Sequence, residues 1–266
     1  MAGKNLEPSV EKDWNKVLAN LIHHMRLPSF PQVLVEGLGV LAHFDTYLLI
    51  TYKHALKPIV LHSSYCEEDE PIFFRFINKA YLIDPIFNAI EQGLETGIFR
   101  LKDLAPDSFE HTKQYKSCYK DFDLNDEIIF LVPLSQEVVL NISLGRTSKL
   151  GSISRSELNR LKAVQPVIQA LCQQFWQAQS SHFVHDEYSQ RSLEHAINTF
   201  TSSLLTPREK QITALVLQGY SSKSVASTLE ISTGTVKVHR KSIYLKLNIS
   251  SEAELFSLFI THLSNA

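Results

Sequence analysis

Between residues 9 and 26 apolar side chains return every three or four positions, with Trp14, Val17, Leu18, Leu21 and Ile22 on one side. This predicts an amphipathic helix, and residues 30–42 predict a second. The period then shortens: "TYLLITYK" (46–53) and "PIVLHSS" (58–64) read as strands joined by a turn around His54 to Lys57. "PIFFRFINKAYLI" (71–83) and "PIFNAIEQGL" (85–94) read as helical segments, broken at Asp84-Pro85 because a residue before proline avoids helical geometry. A short strand, "GIFRL" (97–101), and a helix within 107–120 follow. The apolar runs "IIFLV" (128–132) and "VVLNISL" (138–144) suit strands of a sheet covered on both faces. Ser154 and Glu157 form a capping box for a long helix to Gln177, which Pro166 is expected to kink or split. Its stripe of Leu158, Leu161, Val164, Ile168, Leu171 and Phe175 reads as core, with a dimer seam as the alternative. The expected fold class of this part is an α/β sandwich, an antiparallel sheet flanked by helices.

Residues 177–203 lack a strong apolar period and are rich in Ser, Gln and His. They read as a linker with at most one short helix near Leu193 to Phe200. The chain thus divides into a domain over 1–178, a linker over 179–203 and an all-α four-helix domain over 204–266. In the last part, Thr206, Pro207 and Glu209 make a capped helix start, and Gly219 ends that helix. Ser221 caps a short second helix and Ser232 a third, the arrangement of a helix-turn-helix. At about 100° per residue, Val236, Ile243 and Leu247 fall on one side of the third helix and Gly234, Val238, Lys241 and Leu245 on the other, with Lys237 flanking. An outward valine between lysines suits the major groove of double-stranded DNA, where it can touch a thymine methyl while the lysines reach guanine acceptors or phosphates.

Charge supports that partner. From Leu205 onward seven Lys/Arg stand against four Asp/Glu, net +3, whereas the rest of the chain is net −5. The 266 residues are 44% hydrophobic and 20% charged, which excludes wholesale disorder. No apolar run reaches the roughly 20 residues of a membrane span, and the start lacks a signal-peptide core, so a cytoplasmic protein without membrane partners is expected. The three cysteines lie far apart, as reduced thiols do. No nucleophile and base at recognisable spacing, no phosphate-cradling loop and no metal-binding spacing is found, so no catalytic residue, metal or cofactor is expected. His54 and His62 lack a third ligand, and "CEEDE" (66–70) reads as a solvated loop.

The motif Leu205-Thr206-Pro207-Arg208-Glu209, Gly219, Ser221, Lys223, Ala226, Leu229, Ser232, Thr235-Val236-Lys237-Val238-His239, Ile243, Lys246-Leu247 closely resembles the LuxR/FixJ/NarL-type DNA-binding domain. The resemblance implies a dimeric, sequence-specific transcriptional regulator, with RNA polymerase as a further partner open to it. It implies that Lys237, Val238 and Lys241 face bases and that Lys223, Ser232, Thr235 and Ser242 lie by the phosphate backbone. It also implies a fourth helix, near Glu252 to Leu263, for the dimer contact, with Leu255 and Phe259 as its candidates. Two positions depart from the family pattern: Ser224 stands where an acid is usual, which weakens the second helix's capping box, and Asn248 replaces a glycine.

The segment "YLIDPIFNAIEQGLETGIFRL" resembles the ligand-binding domain of quorum-sensing LuxR regulators, through Asp84-Pro85, Phe99 and Tyr81, although Trp14 and Trp176 are the only tryptophans. The resemblance implies an α-β-α sensor binding a small molecule, with Tyr81, Asp84, Phe99 and Phe74 as ligand-site candidates. Asp84 read as a helix cap, and the aromatics read as core, remain the alternatives. A first domain that binds another protein, above a constitutively competent DNA head, is the rival reading.

Overall fold

Five strands form one antiparallel sheet in the order β2-β1-β5-β4-β3: β1 (Thr46–Tyr52), β2 (Ile59–Ser63), β3 (Gly97–Arg100), β4 (Leu124–Pro133) and β5 (Val139–Thr147). They come from a computed structural model that describes residues 8–53, 56–65, 71–78, 80–112, 115–116, 123–183, 193–200 and 204–265. Pairing across the centre sets Leu48 and Ile129 beside Ser143, and Ile50 and Leu131 beside Asn141. The two-residue period then sorts the side chains. Leu49, Ile128, Phe130, Val132, Leu140, Ile142 and Leu144 pack under α1 (Pro8–His24), α2 (Phe30–Leu38) and α6 (Arg155–Gln179). Leu48, Ile50 and Tyr52 lie under α3 (Pro71–Asn78) and a 3-10 turn at Ala80–Ile83, and Ile129 and Leu131 pack on Ile86 of α4 (Pro85–Glu91).

Pro166 does not split α6. Its ring is exposed, so the carbonyl it leaves unbonded in the preceding turn faces water. The stripe from Leu161 to Phe175 is buried against this molecule's own sheet, which removes it as a dimer seam. The helix start is stapled: Glu157 accepts from the Ser154 amide at 2.9 Å and pairs with Arg146, which also donates to the carbonyls of His43 (2.7 Å) and Ser152 (3.0 Å). Burial opposes charge on Glu157, but the Ser154 and Arg146 bonds outweigh it and hold the carboxyl at about 2.

The helix expected within 107–120 has not begun by residue 112, whereas Tyr115 and Lys116 are helical. α5 (Leu101–Leu104) comes earlier, and Phe109–His111 makes a 3-10 turn, because Phe109 and Thr112 are drawn against the C-terminal helices. Residues 113–114 and 117–122 lie outside the described residues.

Those helices are α7 (Leu193–Phe200), α8 (Pro207–Leu217), α9 (Ser222–Thr228), α10 (Thr233–Leu247) and α11 (Glu252–Asn265). α7, expected within the linker, belongs to the head: Phe200 meets Phe259 edge to face at 5.4 Å and Thr199 bonds His262 at 3.0 Å. Leu255 and Phe259 are not available for a dimer contact. Four-residue spacing puts both on the side of α11 that faces α7 and α8, where they are fully buried, and the outward positions are Ala253, Glu254, Leu258 and Thr261.

Candidate nucleic-acid interface

The head is assembled from local capping signals that converge on one acid. Thr206 caps α8 with Pro207 in its first turn, and Glu209 answers the Thr206 amide at 2.8 Å. The same carboxylate accepts from Ser242 at 2.7 Å and Lys246 at 2.6 Å on α10. Burial alone would raise this carboxyl, yet Lys246, Thr206 and Ser242 hold it at about 2. Glu209 thus pins α10 to α8, while Val236 and Ile243 fill the space between them.

With the inner side fixed, the outer side of α10 is set. Lys237, Val238 and Lys241 are exposed together, and Val238 (69%) and Leu245 (72%) are the most exposed large apolar residues described. A substituent on Gly234 would meet only Ser232, so this end of the helix admits close approach. Ser232 caps the helix through the Thr235 amide at 3.0 Å, and both hydroxyls lie at the surface with Lys223. Ser242 differs from its expected role by the backbone, since its hydroxyl turns inward to Glu209. Arg240 is held by Glu252 (2.8 Å) and the Tyr244 hydroxyl (2.9 Å) at the rim of a groove shared with Lys237 and Lys241. A positive, apolar-studded helix at this exposure can enter a groove lined by phosphates and base edges.

The second helix of the motif takes its missing acid from elsewhere. Asp107, between α5 and the 3-10 turn, accepts from the Ser221 amide at 3.0 Å and hydroxyl at 2.6 Å, where a capping-box acid at position 224 would bond. Burial acts against the charge, but these bonds hold the Asp107 carboxyl below its ordinary range. The Ser108 amide donates to the Gly219 carbonyl at 3.2 Å. Gly219 has φ +93° and a Cβ there would come within 2.9 Å of the Phe109 Cα, so only glycine fits. Gly219→Ala is expected to cost about 1–3 kcal/mol in chemical denaturation, with the loss shared between the signals of the first domain and the head.

The sensor candidates fall out as follows. Asp84 is a cap: it accepts from the Ile86 amide at 2.8 Å at the start of α4 and is fully buried. Tyr81 is fully buried, edge to face on Phe87 at 5.2 Å. Phe99 packs on Ile86, Ile129 and Leu131, and the side chain of Phe74 lies outside the described residues, as do His54 and residues 66–70. One cavity of this domain, about 50 Å³, is lined instead by residues not singled out from the sequence, among them Thr46, Leu48, Phe73, Phe76, Glu127, Asn141 and Ser143, and a second, about 100 Å³, lies beside it among Leu101, Lys102, Phe109, Asp126 and Glu127. Among the described residues no group of three His, Cys, Asp or Glu could hold a metal, and no helix is long and apolar enough to cross a membrane.

A capped three-helix motif presenting cations and a valine outward defines a helix-turn-helix DNA-binding protein. Residues 203–259 match the bacterial regulatory proteins of the luxR family. A chain from Aeromonas salmonicida, assigned as an HTH-type transcriptional regulator in the exeN 3′ region, is 35% identical over 189 residues, covering 69% of this chain and 96% of that one. The chain therefore belongs to the luxR family of transcriptional regulators, and its relatives are regulators, not enzymes. The Escherichia coli nitrate/nitrite response regulator NarP is 43% identical over 58 residues, 22% of this chain and 27% of NarP, which is the head alone. The crystal structure of the VqsR LBD domain from Pseudomonas aeruginosa superposes with a TM-score of 0.54 at 27% identity, covering 62% of this chain and 97% of that domain.

Proposed function

We propose that this regulator reads a specific DNA sequence as a homodimer and that its first domain senses a small molecule. The carrying observation is the outward face of α10, where Lys237, Val238 and Lys241 stand exposed while Val236 and Ile243 are buried. Lys237 and Lys241 reach base edges, Val238 meets a methyl group, and Lys223, Ser232 and Thr235 hold the backbone. In a dimer, the sensor sets the spacing of two heads, and only one spacing fits half-sites about one helical turn apart. The cavity on the sheet, with its few polar groups among apolar walls, supports a ligand over a purely protein-binding first domain.

Fluorescence anisotropy on selected and random duplexes tests this reading. Lys241→Ala is expected to weaken the selected site by roughly 1–3 kcal/mol and to relax base preference. Lys223→Ala is expected to weaken both duplexes alike and to flatten the salt slope. Equal loss on both duplexes for Lys241→Ala would remove the base-reading role.

A further inference from the structure

We infer that the sheet cavity receives a small primary amine, whose ammonium pairs with Glu127 while its carbon body lies on the apolar wall. This rests on the reading of the first domain as a small-molecule sensor and adds the chemical class.

Glu127 belongs to β4, one residue before the apolar run, and its side chain points to the same face as Ser143 and Asn141. It is only 8% exposed, and its Oε2 has no hydrogen-bond partner among the described residues. Ser143 serves the other side of the carboxyl, and Ser143 and Asn141 bond each other at 3.2 Å. Opposite Glu127 in the ladder is Gly145, where a side chain would strike Thr46 and Leu124; its absence lets those two close the cavity's edge. The remaining wall includes Leu48, Phe73, Phe76 and Ile86.

No Lys, Arg or His lines this space; Lys102 lines a neighbouring hollow that Glu127 also borders, but no cation is among the groups that act on the carboxyl. The nearby charges make matters worse: Asp84 and Asp126 both add negative potential, and burial pushes the Glu127 carboxyl up to about 7. An unpaired carboxylate in an apolar hollow is costly, and the group that removes the cost is a cation with N–H donors. The acids that raise Glu127 also repel anions, so a carboxylate or phosphate ligand is disfavoured. Neutral ligands would meet two acceptors, the Glu127 carboxylate and the Asn141 carbonyl, with few donors to match their own oxygens. About 50 Å³ accommodates roughly three to five water-sized groups, which selects a short alkylamine or the amine-bearing end of something longer.

The test is calorimetry and thermal shift on the full chain at pH 8 with n-butylamine, n-butanol and n-butyrate. The amine is expected to bind at least tenfold more tightly than the alcohol, and butyrate not at all. Glu127→Gln is expected to abolish that preference. If the alcohol equals the amine, or the glutamine variant binds the amine unchanged, the pairing with Glu127 is overturned while a sensor remains. The wild-type series decides the question on its own should the variant fail to fold. If none of the three binds, the amine class falls, and native mass spectrometry of the purified chain judges the sensor separately. A copurifying molecule without an amine keeps the sensor, and none at all sinks both.

Discussion

Glu209→Ala is expected to destabilise the head by about 3 kcal/mol in urea denaturation followed by circular dichroism. The substitution removes a capping box, worth about 1 kcal/mol, and hydrogen bonds to a charged group from Ser242 and Lys246. Lys246 is partly exposed and can be rehydrated, which keeps the loss below that of a fully buried pair. Glu209→Gln, which can still cap, is expected to lose about half as much. The carboxyl is held at about 2, below its ordinary value, so its contribution is present above pH 4.5 and is lost as pH falls toward 2. The alanine variant is expected to lack that part of the acid-induced loss. DNA binding should fall with stability, because α10 is released from α8. A variant with unchanged midpoint would show that Val236 and Ile243 alone hold the recognition helix.

The second large effect has the opposite sign. Glu127 is pushed up to about 7 by burial and by Asp84 and Asp126, so the folded chain binds a proton that the unfolded chain releases near 4.5. Stability from this group is full below about 4.5 and is lost as pH rises through 7. The shift corresponds to about 3 kcal/mol. Ligand-free Glu127→Gln is therefore expected to match the wild type below about pH 4 and to exceed it by up to that amount at pH 8. Parallel pH profiles for the two proteins would show that the carboxyl is hydrated.

Glu209 was legible in the sequence and Glu127 was not, for a physical reason. The helix starts of the head are written in residues three apart, Thr206 with Glu209 and Ser232 with Thr235, so local chemistry fixes them. The angular pattern of α10 needs only a helical period, and its two faces lie as that period implies. The strands were equally visible, yet β4 begins at Leu124, before its apolar run. In a sheet covered on both faces, apolarity does not reveal which parity looks into a cavity, and "NDE" ahead of the run has no apolar residue to mark it as strand. Asp84 and Tyr81 illustrate the converse: a carboxylate before Pro85 has amides of its own to satisfy, and these take it. Leu255 and Phe259 were misplaced because α11 is apolar most of the way round, which leaves the inner side ambiguous.

Asp107 could not be found at all, since its partner Ser221 lies 114 residues away. Its position carries a practical warning. A fragment cut at residue 204 would keep Lys237, Val238 and Lys241 but lose both the acid that finishes the turn into α9 and the buttress of α7. Such a fragment begins α9 with an amide open to water, and it reports on a looser reader than the one the intact chain carries. Affinities measured on the two are answers to different questions.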